Sequence, residues 1–157
     1  AEFYNSFGNL DVYLIAPEDI FIFKSITERE ADLEDMRTLV ERRLNWNTVK
    51  EECLLQEKRK TWEAFLVERL RELRKRYGIE APIAKELQKI AEEEMIKEML
   101  VSIIKDGNDT VEKIAAVVEE KLEYSESWTR REVNKLVAKG IVKVEKRRST
   151  YWYDLVS

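Results

Sequence analysis

The chain has 157 residues, among them one cysteine and no histidine, and its 32 acidic and 28 basic residues leave a net charge of −4. This length fits one domain or two small ones. The cysteine and histidine counts exclude a disulfide framework and any Cys/His zinc site, and they point to the reducing cytoplasm. No apolar run reaches the ~18 residues of a membrane span, so we expect no membrane partner.

The N-terminal half predicts one strand followed by helices. The segment "DVYLIA" (11–16) predicts a short strand buried on both faces, because it is rich in β-branched and aromatic residues. Pro17 suits the first position of a helix, and Glu18 and Asp19 suit the positive end of its dipole. We therefore predict a helix over 17–26, deeply buried through its "IFIF" stretch.

Two further helices are predicted before residue 78. Thr27 and Glu30 have the spacing of a capping box, which predicts a helix from residue 27 to about 43. Asn47 or Thr48 is the predicted cap of the next helix, which we expect to continue to about Tyr77. The apolar stripe of this last helix is either a dimer seam or core of the same chain. Its residues are Trp62, Phe65, Leu66, Leu70 and Leu73.

The C-terminal half predicts three helices and a hairpin. The helices are expected at about 82–104, at 111–122 with Asp109 or Thr110 as its cap, and at 128–140. Alternation of apolar and polar residues predicts strands at 141–146 and 150–156, joined by the basic turn "KRRS". We expect Trp128 and Trp152 to pack inward rather than to stack on bases.

This layout resembles the winged helix-turn-helix domain. The resemblance rests on "TVEKIA", "WTRREVNKLVAKGIV" and "KVEKRRSTYWYDL", and it covers the chain from about Met95 onward. It implies binding of duplex DNA, with the third helix in the major groove and the hairpin as the wing. An alternative use of such a domain is binding another protein.

Charge supports the DNA interpretation, because residues 127–153 are strongly basic whereas residues 80–126 are acidic. Arginine can bond guanine edges and asparagine adenine edges, and basic wing residues can contact phosphates. The few phosphate contacts favour a homodimer for specific binding. The candidate DNA contacts are Arg130, Arg131, Asn134 and Lys135 on the third helix, and Lys143, Lys146, Arg147 and Arg148 on the wing.

The segment "LDVYLIAPEDIFIFKSITEREADLEDMRTLVER" resembles the C-terminal part of prokaryotic nucleotidyltransferase-fold proteins, including toxin and defence relatives. The match runs through the "PED" at 17–19 and then Lys24, Arg29, Asp32 and Asp35. It implies a lysine near a nucleotide triphosphate, with an acidic helix beside it. The alternative for Lys24 is a structural salt bridge to Asp32 or Asp35 that orders two helices.

Catalysis by that family depends on an upstream Gly-Ser turn and on aspartates that hold magnesium, since phosphoryl-type transfer relies on bound metal. Residues 1–10 do not supply this motif. We therefore expect no cofactor, with Mg²⁺ and a nucleotide triphosphate only if a longer chain supplies the motif. Cys53 lies among acids in "EECLLQ" and is expected to be an inert structural thiol.

We predict a mainly α protein with two parts. Residues 1–80 form a helical remnant of a nucleotidyltransferase-like domain with a short strand, and residues 81–157 form a winged helix-turn-helix domain with a long lead-in helix. The predicted function is DNA-binding transcriptional regulation. One alternative is a fragment of an active nucleotidyltransferase whose winged helix recruits nucleic acid or a partner, and another is an antitoxin-like interaction module.

Overall fold

The computed structural model describes residues 2–27, 29–56 and 62–156. Within them the chain is mainly helical, with two small antiparallel strand pairs, as the expected α class requires. Contacts divide the chain into a first unit that ends at Glu92 and a second unit that begins at Glu93. The predicted boundary lay earlier, between residues 80 and 81.

Within the described residues, the first unit contains two strands and four complete helices. They are β1 (Glu2–Phe7), β2 (Leu10–Leu14), α1 (Pro17–Ser25), α2 (Glu30–Glu41), α3 (Trp46–Leu54) and α4 (Trp62–Tyr77). The unit boundary falls within the next helix, α5 (Ala84–Lys105). The second unit continues with α6 (Val111–Leu122), α7 (Glu126–Ala138), β3 (Val142–Arg147) and β4 (Thr150–Leu155).

The first strand pair is the largest departure from prediction. β1, which we did not predict, pairs antiparallel with β2 through a turn where Gly8 adopts a φ of 64°. The prediction of a strand buried on both faces is wrong, because every residue of β2 is exposed except Val12, which is half-buried. Among the described residues, β1 and β2 pair only with each other, so no further strand covers them.

The helix after α1 begins later than the capping box predicted. The N-cap of α2 is Arg29, and its side chain makes no capping hydrogen bond. The predicted cap is wrong because the Thr27 hydroxyl is engaged elsewhere, 2.9 Å from the Lys24 carbonyl oxygen and 2.7 Å from Asp32 Oδ2.

Two predictions for the next helices are also wrong. Asn45, rather than Asn47 or Thr48, caps α3, since its side-chain oxygen accepts from both of those backbone N–H groups at 3.1 and 3.3 Å. The predicted continuous helix is interrupted, because α3 ends at Leu54 and Gln56 is outside any helix. Residues 57–61 lie outside the described residues.

The second unit follows the prediction closely. Thr110 caps α6, its hydroxyl oxygen accepting from the Lys113 N–H at 3.4 Å. Helix α7 starts two residues earlier than predicted, with Ser125 as its cap. Strands β3 and β4 pair antiparallel, with Val144 opposite Tyr153. The left-handed conformation of Arg148, with a φ of 56°, lies in the turn that joins them.

Each unit has its own apolar core. In the first unit, α4 contributes Trp62, Leu66, Leu70 and Leu73 to the core, whereas Phe65 is 44% exposed. The stripe of α4 is therefore core of the same chain, and this alternative replaces the dimer seam. The second core is built from α5, α6, α7 and the hairpin, with Leu100, Ile114, Val118, Val133 and Val142 fully or almost fully buried. Among the described residues, no helix has the length and apolar content needed to cross a membrane.

The assignment of the α4 stripe predicts the effect of two substitutions. Leu73→Ala should lower the free energy of unfolding by about 2–5 kcal/mol, because it removes a fully buried side chain and leaves a cavity. Phe65→Ala, on the exposed side of the same stripe, should cause a much smaller loss. Urea unfolding followed by circular dichroism measures both. Equal losses would contradict the assignment.

Candidate functional site

Helix α7 separates an apolar face from a polar one. Thr129, Val133 and Leu136 are buried, and Val137 is half-buried. The four predicted DNA contacts on α7 all lie on its exposed side: Arg130, Arg131, Asn134 and Lys135. The 3.6-residue period of the sequence therefore places these donors as expected.

Arg130 contacts acidic side chains of two helices. Its Nη2 lies 2.8 Å from Glu126 Oε1 on the same helix and 3.8 Å from Glu112 Oε1 on α6. The hydrogen bond with Glu126 raises the pKa of Arg130 above its ordinary value. Its side chain is nevertheless 46% exposed, so these are solvent-screened surface pairs.

Arg131 and Lys135 flank a buried carboxylate that the sequence analysis did not single out. Glu132 is 8% exposed, and it accepts from Arg131 Nε at 3.1 Å and from Lys135 Nζ at 2.8 Å. Burial raises the pKa of Glu132, but the two hydrogen bonds outweigh it and hold the pKa below the ordinary value. The signal in the sequence was an acid next to Val133 on the apolar side of α7, with one cation directly before it and another three residues after it.

The wing cations differ in how strongly they are engaged. Lys143 Nζ lies 3.3 Å from Asp154 Oδ2 on the neighbouring strand, and Arg147 Nη2 lies 2.6 Å from Glu145 Oε2. The hydrogen bond with Glu145 raises the pKa of Arg147. All four of these side chains are more than half exposed.

Two wing cations have no carboxylate partner among the described residues. Lys146 lies over the ring of Tyr151, with Nζ 5.5 Å from the ring centre. Arg148 is exposed at the turn of the hairpin, with no hydrogen bond or ion pair within the described part of the chain. These two side chains and Asn134 are the predicted DNA contacts that pair with no carboxylate among the described residues.

The hairpin is attached to the start of α6. Thr110 forms an isolated antiparallel bridge with Trp152, and the Tyr153 N–H donates to the Asp109 carbonyl oxygen at 2.7 Å. Trp152 is half-buried between two cations, with Lys113 Nζ 5.8 Å and Arg147 Cζ 5.4 Å from its ring centre. This attachment fixes the base of the wing.

The other predicted inward tryptophan lies at the start of α7. Trp128 is half-buried, packs against the core of the second unit and stacks on Tyr124, with ring centres 4.1 Å apart. Its ring is thereby occupied by protein contacts, as the core interpretation requires.

In the first unit, all four residues named by the nucleotidyltransferase resemblance come together. Lys24 Nζ lies 2.8 Å from Asp32 Oδ1 and 2.7 Å from Asp35 Oδ2, so it pairs with both carboxylates rather than one. Arg29 Nε lies 2.7 Å from Asp32 Oδ2. Asp32 is only 2% exposed, and the Thr27 hydroxyl completes its set of donors.

The charged groups of this cluster are hydrogen-bonded to one another. The hydrogen bond from Lys24, followed by those from Thr27 and Arg29, lowers the pKa of Asp32 far below its usual range. The same bonds to Asp32 and Asp35 raise the pKa of Lys24. Arg69, which is 9% exposed and which we did not predict, donates to the Thr27 carbonyl oxygen and pairs with Glu72.

The described residues form no metal-binding site. Among those residues, no three acidic or thiol side chains lie close enough together to hold a metal ion. Comparison of the chain with protein-family models, with curated proteins and with solved structures gave no match.

The lowered pKa of Asp32 predicts a pH-dependent contribution to stability. Because the folded-state pKa is depressed, the stabilisation is complete above the ordinary aspartate pKa of about 4 and is lost as the pH falls below it. The stability difference between wild type and Asp32→Asn should therefore shrink below about pH 4. Urea unfolding between neutral and acidic pH measures this difference.

Asp35→Asn is the matched control, because it removes a carboxylate bonded to the same lysine from a side chain that is 57% exposed. We expect a smaller and flatter effect from it. A stability difference for Asp32→Asn that does not change with pH would contradict the assigned network.

The predicted inertness of Cys53 can be tested separately. Its thiol is 1% exposed, and burial, with a smaller contribution from Glu63, raises its pKa to about 12. A thiol reagent such as DTNB should therefore leave the folded protein unmodified at neutral pH and react with one thiol per chain after denaturation. Rapid labelling of the folded protein would show that the thiol is accessible.

Proposed function

We propose that this protein binds duplex DNA through its second unit, as a winged helix-turn-helix transcriptional regulator. One observation carries the proposal: α7 presents long hydrogen-bond donors on its exposed face, and a basic hairpin follows it directly. A helix that enters the major groove needs such donors, and a neighbouring basic turn can contact the phosphates.

The topology of the unit supports this proposal. The C-terminal part of α5, then α6 and α7, share one core with the β3–β4 hairpin. The bridge between Thr110 and Trp152 holds the base of the hairpin against the start of α6. The base of the hairpin is therefore held in place, whereas the cations of its turn stay exposed. They are Lys146, Arg147 and Arg148.

Carboxylates already near these cations do not block phosphate binding. Exposed ion pairs contribute about 0–1 kcal/mol each, so a phosphate can replace a carboxylate at little cost. Arg130, Lys143 and Arg147 belong to this group, with side chains 46–62% exposed. Arg148 and Asn134 need no exchange at all, since no ion pair or hydrogen bond holds them within the described chain.

Arg131 and Lys135 are a different case, because both hold the buried Glu132 in its charged form. If both side chains left Glu132 to contact DNA, the buried carboxylate would lose its partners, which is unfavourable. Arg131 offers further donors on its guanidinium, so it can contact a phosphate while keeping Glu132. We assign Lys135 to the support of α7 and the remaining predicted cations to DNA.

The cluster around Lys24 contributes nothing to this proposal. The lysine is bonded to two carboxylates, and the network works as a structural ion-pair cluster between α1 and α2. The alternative is that the second unit binds another protein. That binding would not depend on the wing cations, whereas DNA binding would.

A salt titration tests DNA binding. Fluorescence anisotropy with a labelled mixed-sequence duplex should show affinity falling steeply with salt, since binding releases counterions from the phosphates. The variant Lys146→Gln/Arg148→Gln should bind more weakly and reduce the slope of log K against log salt by about 2.

Lys75→Gln/Lys85→Gln is the control, because it makes the same change in net charge at exposed sites of the first unit. It should leave the slope nearly unchanged. A salt-independent signal, or equal losses in the two double variants, would contradict binding through the wing.

A further inference from the structure

The β1–β2 hairpin exposes an unusual amount of apolar surface. Six of its large apolar side chains are more than half exposed, and so is Ile15 directly after it: Phe3, Tyr4, Phe7, Leu10, Tyr13, Leu14 and Ile15. A two-stranded hairpin is marginal in water by itself, and three or more strands or a packed helix are needed for independent stability. We therefore expect this hairpin to contact a partner.

The edge of β2 carries few of the features that normally prevent strands from pairing: it is short and Asp11 is its only charge, but it has no lysine, proline or bulge. Natural edge strands carry lysine, proline or a bulge. The first sixteen residues contain no lysine, arginine or proline. An irregularity interrupts β1 between Phe3 and Asn5, whereas β2 is regular from Leu10 to Leu14. The outer edge of β2 is thus the one suited to receive another strand.

The sequence of β2 is complementary to itself in the antiparallel direction. In a two-fold pairing centred on Val12, Leu10 of one copy lies opposite Leu14 of the other, and Asp11 lies opposite Tyr13. The only charge in the strand then faces a phenol that can donate to it, and like charges do not meet. Leu10, Val12 and Leu14 fall on one face, joined by Phe7 through its pairing with Leu10.

From these observations we infer that two copies of this chain associate through the outer edges of their β2 strands, forming one four-stranded antiparallel sheet with Val12 at its two-fold axis. Such an isologous contact closes at two copies. The inference does not depend on DNA binding, and it concerns residues of the first unit only.

Light scattering coupled to gel filtration, without DNA, tests the oligomeric state. The wild type should have twice the 18.7 kDa of one chain. Val12→Lys should shift it to the monomer, with at least a tenfold weaker dimer, because two ammonium groups would face each other across the axis. Val12→Thr, which keeps a β-branched side chain of similar size, should remain dimeric.

Cross-linking tests the register. Val12→Cys should form a disulfide between copies on mild oxidation, since residues opposite each other in an antiparallel pair have Cα atoms about 4.5–5.5 Å apart. Asp11→Cys is the control, because its two copies are offset by two residues along the strands, which puts their Cα atoms farther apart than the ~7 Å that a disulfide spans. Cys53 is buried, so the wild type serves as the blank.

Several outcomes would overturn the inference. They are a wild type that is monomeric at every concentration, a dimer that Val12→Lys leaves intact, or equal cross-linking at positions 11 and 12. A monomer would show that a second copy does not cover the hairpin. Circular dichroism of each variant confirms that the helical core is retained, since Val12 is outside that core.

Discussion

The arrangement of the first unit depends on one buried carboxylate, that of Asp32. Moving a charged carboxylate out of water is strongly unfavourable unless donors surround it, and here an ammonium, a guanidinium and a hydroxyl do so. The three donors come from the end of α1 and from the segment that leads into α2, so satisfying the charge fixes how these helices meet. Lys24 also lies in the last turn of α1 and Asp32 in the first turn of α2, where their charges suit the two helix dipoles. The apolar contacts of Phe21, Leu33 and Met36 then fill the space that this geometry leaves.

Glu132 solves the same problem in the second unit with donors from its own helix. Because Arg131 and Lys135 neutralise it, the exposed face of α7 is less positive than the number of its cations implies. A surface of this kind binds a polyanion through the few cations that are free or in weak exposed pairs, and not through bulk charge. This distinction separates the residues that support the helix from those available to a ligand, and the distribution of charge along the sequence does not reveal it.

Much of the second unit could be predicted from the sequence, because local signals and tertiary packing agree there. The apolar period of α7, the cap at Thr110 and the positions of the two predicted strands each match the structure, although only Val142 of β3 is buried. In the first unit the local signals were overridden. Thr27 has the spacing of a cap, but the nearby buried Asp32 takes its hydroxyl, and nothing in the local pattern reveals that Asp32 is buried. Likewise, the apolar composition of β2 is typical of a central strand, and only the arrangement of the whole unit shows that it is exposed.

If the second unit binds DNA as proposed, association of two chains would offset the small number of free cations on α7 and the wing. A single unit with a handful of phosphate contacts binds DNA weakly at physiological salt, because counterions compete with each of its cations for the phosphates. Joining two chains through β2 would place a second copy of this unit at a high effective concentration, so that a second binding step would be intramolecular. Association of two copies would thus raise the affinity for DNA, which Glu132 and the surrounding acids lower in a single copy.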